Sequence, residues 1–428
     1  MFRKIISTIF ARVLLAGLTF FLAIITTQYL GPQGKGDVSL FVLNLAIVQL
    51  LNNFIGGAYL VYLIPRRNFM QLFILSYSWS LLVSIVVPAV LVFFNLLDKG
   101  QFIHLVIISM IYSLFSVNAI ILMGKEEIGK YNITYLLQSV ILISAFVLYM
   151  EIFEVRSVSS YINAVYFSST AAFMVSFIFV LKYLERISFE NIFETFSATF
   201  RNGFIVQTGN IAQLFNYRMS FYILDNFYTG GRKDVGIYST AVSVAEALWL
   251  ISQSVAIILY ARISNSNDIA YSRKLTVSLM KIVFICTFFC TAVLLCLPSS
   301  LFIFVFGSGF GEVSTILIPL SMGIVILSMG ILLSSYFGGI GKPKISVMGS
   351  IIGLAVTVIS GFALIPKYGM IGAGITASAS YTATVIFQFT RFLKEADEIH
   401  IRDFIFTKND FNFAFSELKY MLSQKTTK

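Results

Sequence analysis

Residues 204–225 read FIVQTGNIAQLFNYRMSFYILD, a stretch with the length of a membrane-spanning helix but the side chains of a binding surface. It carries Gln207, Asn210, Gln213, Asn216, Arg218 and Asp225. A charge at mid-bilayer costs roughly 2.5–3.5 kcal/mol on insertion scales, so such residues face a bundle interior or a wet cavity. At about 1.5 Å per residue, Arg218 lies ~21 Å into the stretch, and Asp225, two turns on, points the same way. One reading makes this helix the wall of a polar path through the membrane. The other makes Arg218 and Asp225 a pair that fixes helix packing or reaches to the outer interface.

Three more polar positions are candidates. Glu246 falls ~16 Å into the run 235–259, near mid-membrane, at about 1.5 Å per residue. A carboxylate there is either a carrier of a coupling proton or a neutral, hydrogen-bonded acid. Arg12, one or two turns into the first run, either reaches back to the cytoplasmic surface or touches a solute. His104 stands at the outer end of its run, where an interfacial role is expected. No catalytic constellation is present: the histidines are His104 and His400, and carboxylates do not cluster. Cys286, Cys290 and Cys296 share one apolar run, without paired spacing or histidine partners, and are read as packing thiols rather than a metal site. Gly338-Gly339-Ile340-Gly341-Lys342-Pro343 lacks the first glycine of a phosphate loop, and proline follows its lysine, so it is a turn. No cofactor, metal or nucleic acid is expected. With no ATPase module, energy must come from a gradient or the membrane potential.

The elements that position these residues are helices. Hydrophobic residues make up 58% of the 428 and charged ones only 12%, where soluble chains are about 25% charged. Mean hydropathy is +0.87. Apolar runs recur at 7–30, 38–64, 71–97, 102–123, 133–150 and 160–181, then at 204–225, 235–259, 276–297, 315–340, 345–365 and 369–390. Runs of about 20 residues predict an all-α polytopic membrane protein of about 12 spans rather than a barrel. The mixed stretch 186–203, with Ile187, Phe189, Phe196 and Phe200 among Lys, Arg and Glu, suits an amphipathic linker in the cytoplasmic interface. The expected divisions are an N-terminal six-helix lobe at 1–185, that linker, a C-terminal lobe at 204–390 and a cytoplasmic tail at 391–428.

The net charge of +10 sets topology. With the N-terminus inside, Lys35, Lys99, Arg156, Arg232, Lys233 and Lys367 fall outside, Arg218 lies within a span, and every other Lys and Arg falls inside. An inside excess of roughly four to one fits the bias of cytoplasmic loops and places both termini in the cytoplasm. The halves also resemble each other. An ungapped shift of about 200 residues sets Gly31 on Gly231, Gly36 on Gly236 and Ser39 on Ser239. That offset preserves orientation, as in transporters built of parallel repeats, whose substrates bind between the lobes.

Several turns resemble those of a known family. Leu30-Gly31-Pro32-Gln33-Gly34 is similar to the LGPxG turn of the polysaccharide flippases. Val305-Phe306-Gly307-Ser308-Gly309-Phe310, Gly341-Lys342-Pro343 and Ile365-Pro366-Lys367-Tyr368-Gly369 follow in that family's order. These O-antigen and capsule repeat-unit translocases belong to the multidrug/oligosaccharidyl-lipid/polysaccharide exporter superfamily. The resemblance implies two six-helix lobes around a central cavity, and an undecaprenyl-diphosphate-linked oligosaccharide carried across the bacterial inner membrane for surface polysaccharide synthesis. A polysaccharide polymerase and chain-length machinery are then expected partners. On this reading Arg218 attracts the diphosphate, while Gln207, Asn210, Gln213 and Asn216 offer bonds to sugar hydroxyls and Arg12 is a further contact. Glu246 and Asp225 are then the ion-coupling candidates. A drug or metabolite exporter of the same superfamily is the alternative, and a membrane polysaccharide polymerase a second.

Overall fold

A helix twice as long as a bilayer is thick must turn back on itself, and this chain does so twice. The computed structural model describes residues 2–186, 192–266 and 268–395. The expectations placed on Ile187, Phe189, His400 and the tail beyond 395 lie outside the described residues. Helix α1 (Phe2–Gly56) has 55 residues, and at about 1.5 Å each a straight rod would be ~80 Å long. Gly31, at φ +63°, breaks it. Only glycine adopts that conformation freely, and Pro32, next in line, has no N–H to lose. The two halves run opposite ways: Tyr29 bonds Glu151 at the far end of α5 (Ile128–Glu151), and beyond the kink Asn52 accepts from Ser80 of α3 (Phe69–Phe93) at 2.7 Å.

Between and beyond these lie α2 (Ala58–Leu63), α4 (Phe102–Gly124), α6 (Val158–Leu181), α7 (Ile192–Phe227), α8 (Gly231–Ser264), α9 (Ile269–Cys296), α10 (Ser299–Phe306) and α11 (Val313–Gly339). The last is α12 (Lys344–Glu395), whose 52 residues reverse at Gly369, φ +54°. Its halves pack side by side, with Thr357 2.8 Å from Ser380 and Ser380 donating to the Gly353 carbonyl at 2.8 Å. Among the described residues no strand occurs. Among the described residues nine helices are long and apolar enough to cross a membrane, the two double-length ones included and α7 (Ile192–Phe227) not among them. The chain is an all-α, multi-pass membrane protein.

The chain divides into two compact units. The first holds the residues up to Ile211 together with Arg232–Gly236 and Val305–Gly309; the second holds Ala212–Gly231, Ile237–Phe304 and the chain from Phe310 onward. Within the first unit α1 packs on α3, α4 and α5, and α6 on α4 and α5. A polar seam joins these helices: Tyr77 donates to Asn118 at 2.7 Å, Asn118 to Ser176 at 3.2 Å, and Gln49 to Ser113 at 2.9 Å. Lipid tails are as apolar as leucine, so such bonds and close packing, rather than a hydrophobic drive, hold membrane helices together.

Loops placed on one side by the charge pattern meet each other. At one end of the first unit the Glu127 carboxylate accepts from Lys182 at 2.6 Å, Tyr183 at 2.9 Å and Lys130 at 3.0 Å. Those donors, Lys182 foremost, hold the Glu127 carboxyl down to about 2 and push Lys182 up. Lys125 lies over the rings of Phe69 and Tyr183 at the same end. At the other end Arg232 bonds Asp37, and Asp98 at 2.9 Å. In the second unit Lys342 pairs with Glu395 at 3.0 Å.

Helix α7 carries both the mixed and the polar stretches without a break, so 192–203 is the base of the polar helix rather than a separate element. Its aromatic side packs on protein. The ring of Phe200 meets Phe54 at 5.8 Å and Trp79 at 5.4 Å, and Gly203 rides against the Phe54 carbonyl, where a Cβ would collide.

Candidate functional site

The polar residues of α7 do not share one fate. In the first unit Gln207 is buried and accepts from the Asn210 amide at 2.8 Å, which leaves Asn210 exposed but oriented. In the second unit Asn216 is only 4% exposed. Its Oδ1 lies 2.8 Å from the Thr357 hydroxyl and also accepts from Ser380. Gly353 makes the room: a Cβ there would come within 2.5 Å of the Asn216 amide nitrogen. Asn216 therefore docks α7 onto the α12 hairpin. At about 100° per residue it sits nearly opposite Arg218 on the helix.

Arg218 is the chemically distinctive residue of the second unit. Its Nη2 lies 2.8 Å from the carboxylate of Glu246 on α8, and the side chains are 25% and 27% exposed. The guanidinium carbon sits 5.3 Å from the Phe221 ring centroid, and the Phe221 and Tyr238 rings meet edge to face at 5.8 Å. Beside the pair three rings close on one another: Tyr217 with Trp249 at 5.5 Å, Tyr217 with Tyr381 at 5.4 Å, and Trp249 with Tyr381 at 5.7 Å. Gln213, exposed, donates to the Tyr217 hydroxyl at 2.8 Å. Tyr238 donates to the Ala373 carbonyl at 3.2 Å, which ties this cluster to α12.

A guanidinium has five N–H donors in a rigid plane, and one carboxylate does not exhaust them. The remaining donors suit a second anion, and a surround of rings lowers the local dielectric that screens such a contact. The arrangement can therefore hold a phosphate-type anion beside a partly apolar surface.

Arg218 takes Glu246, from the next helix, as its carboxylate partner. Asp225, two turns along α7, is half-buried and engaged in interactions of its own. Arg12 is exposed on the first half of α1. His104 lies 3.2 Å from the Tyr166 hydroxyl. Cys286 and Cys296 are exposed and Cys290 is half-buried, all as free thiols. Among the described residues no group of three His, Cys, Asp or Glu side chains is placed to hold a metal ion.

No family model matches the chain. The capsular polysaccharide biosynthesis protein CapF of Staphylococcus aureus is 32% identical over 171 residues, 38% of this chain and 42% of that protein. The chain thus matches less than half the length of this curated relative. Solved structures match almost end to end. The lipid II flippase MurJ in an inward closed conformation superposes with a TM-score of 0.70 at 16% identity, over 99% of this chain and 97% of its own. An inward-facing multidrug resistance MATE family transporter of the MOP superfamily gives 0.68 at 17% identity, over 90% and 94%. The fold is that of these solved structures, and the capsular polysaccharide relative agrees with the resemblance of the turn motifs to the polysaccharide flippases.

Proposed function

We propose that this protein is a flippase that moves prenyl-diphosphate-linked oligosaccharide repeat units from the cytoplasmic to the outer leaflet of the inner membrane, by alternating access. The observation that carries the reading is Arg218. It is a cation paired with Glu246, a quarter exposed and bordered by rings, on the most polar helix of a transporter fold. A diphosphate cannot cross hydrocarbon unaided, and a charge-assisted bond from a guanidinium is the strongest contact the chain offers it. Gln213, in the same unit as Arg218, adds an exposed amide that suits a sugar hydroxyl. The capsular relative supports a surface polysaccharide as the end product. The MATE likeness also admits export of cationic drugs, but a cavity for cations calls for unpaired acids, and the deep acid here already has its cation.

The test is reconstitution. Proteoliposomes holding the purified chain and a prenyl-diphosphate disaccharide with a fluorescent tag on the sugar are exposed to a membrane-impermeant quencher. The wild type is expected to expose the inner-leaflet pool. Arg218→Ala, incorporated equally, is expected to lose at least about tenfold in rate, the order of one charge-assisted contact. Arg218→Lys keeps the charge without the planar fork and should recover only part. No exposure by the wild type, or a wild-type rate in well-incorporated Arg218→Ala, would overturn the proposal.

A further inference from the structure

Every anion in the membrane has some claim on Arg218. The cargo proposed above is scarce, whereas phosphodiester lipids surround the protein in vast excess. Discrimination must therefore be built into the site, and the structure holds a device for it. The Glu246 carboxylate lies on Arg218 at 2.8 Å, tethered beside it by the ring contacts of Phe221 with Tyr238 and of Tyr217 with Trp249. A tethered competitor acts at an effective concentration of about millimolar or above. Among the described residues, the hydroxyls of Tyr217, Tyr238 and Tyr381 also lie near the pair. They carry no positive charge that would hold Glu246 elsewhere.

From this competition we infer that Glu246 is a specificity-determining residue: it occupies Arg218 as an internal surrogate anion that a diphosphate displaces and a singly charged phosphodiester does not. The inference rests on the flippase reading above. The physics is that of selection by a built-in rival, in which the wrong ligand fails because it must break an equal contact to bind. A phospholipid phosphodiester brings one negative charge, the same as the carboxylate, and must also pay the loss of the tethered pair. A prenyl-diphosphate sugar brings two charges and two sets of acceptor oxygens, enough to span the planar donor fork while one carboxylate leaves it. Removing the rival is therefore expected to loosen selectivity rather than abolish binding.

The experiment compares two tagged lipids in proteoliposomes: the prenyl-diphosphate disaccharide and phosphatidylglycerol. Wild type should move the first and not the second. Glu246→Gln should move phosphatidylglycerol measurably, and unlabelled phosphatidylglycerol should inhibit its diphosphate flipping at least tenfold more strongly than in wild type. Should Glu246→Gln fail to accumulate, Glu246→Asp gives the same readout, because the shortened carboxylate is a weaker competitor and phosphatidylglycerol must become an inhibitor. Unchanged discrimination in whichever variant accumulates overturns the inference and leaves the flippase reading standing. Failure of the wild type to move the diphosphate lipid overturns both.

Discussion

Gly36 and Gly236 meet backbone to backbone in the first unit, and each is confronted by the residue four positions before the other. A Cβ on Gly36 would collide with the Arg232 carbonyl, and a Cβ on Gly236 with the Pro32 carbonyl. The two segments are therefore related by a local two-fold, residue for equivalent residue, across an offset of about 200 positions. Small residues at such crossings let helices approach closely, which is how membrane helices gain packing energy. The ion pair of Arg232 with Asp37 joins the same two segments, and Arg232 also reaches Asp98.

Bulk at this crossing should be costly. Gly36→Val and Gly236→Val each place a side chain against a carbonyl that cannot retreat without moving a helix, a strain of about 1–3 kcal/mol or more. Thermal midpoints from fluorescence-detected size exclusion should fall for both. Gly100→Val is the control, because a Cβ there meets open space. Equal midpoints for Gly36→Val and Gly100→Val would show that the crossing tolerates bulk.

Asn216 should behave as a structural residue. Asn216→Leu leaves Thr357 and Ser380 facing an apolar side chain in a buried site, and an unsatisfied buried polar group costs about 1–3 kcal/mol. The expected result is a lower thermal midpoint with unchanged discrimination between cargo lipids. Gly353→Leu, which evicts the Asn216 amide, should give the same phenotype. A well-folded Asn216→Leu protein with altered cargo preference would return this residue to the binding surface.

The apolar helices were legible because hydropathy is a local property. The reversals at Gly31 and Gly369 were legible as Gly/Pro turns, although the backbone keeps helical geometry almost through them. The site was legible only in part. Arg218 stood out as a lone cation in an apolar background, and Glu246 as a deep acid, yet the pairing weighed from the sequence was with Asp225 on the same helix. The true partner is 28 residues away on the next helix. A rule that two opposite charges in otherwise uncharged spans seek each other would have found it. Tyr217, Trp249 and Tyr381 carry no mark in the sequence, since aromatic residues are common here and only the tertiary fold gathers these three. In the sequence Asn216 looks like the other amides, because helical phase alone does not say which face is covered.

The Glu127 hub predicts an acid-sensitive loop. The carboxyl has its pKa lowered to about 2, chiefly by Lys182 and then by Lys130 and Tyr183, from an ordinary value of 4.5. A depressed carboxyl contributes stability that is present above the unfolded value and lost as pH falls through the folded one. Glu127→Gln should therefore lower the thermal midpoint at neutral pH, and the gap to wild type should close as pH is taken from about 4.5 toward 2. A gap that is constant over that range would mean that packing, rather than ionisation, accounts for the effect.

Sidedness is the last expectation. Contacts within the first unit already sort its loops into two ends: Lys125, Lys130 and Lys182 gather around Glu127, while Arg232 joins Asp37 and Asp98. Lys342, two residues before α12, pairs with Glu395, the last residue of α12, at one end of the second unit. Cytoplasmic loops hold the excess of Lys and Arg, so the ends with Lys125 and Lys342 are assigned inward. Single cysteines at Lys125, Arg273 and Lys342, in a background with Cys286, Cys290 and Cys296 replaced, should react with an impermeant maleimide only after the membrane is opened. Cysteines at Lys233 and Lys367 should react in intact cells. Labelling of 125 and 233 from the same side would break the alternation. Full inversion of the pattern would keep the alternation but reverse the direction in which cargo is carried, and the capsule-precursor reading would fall with it.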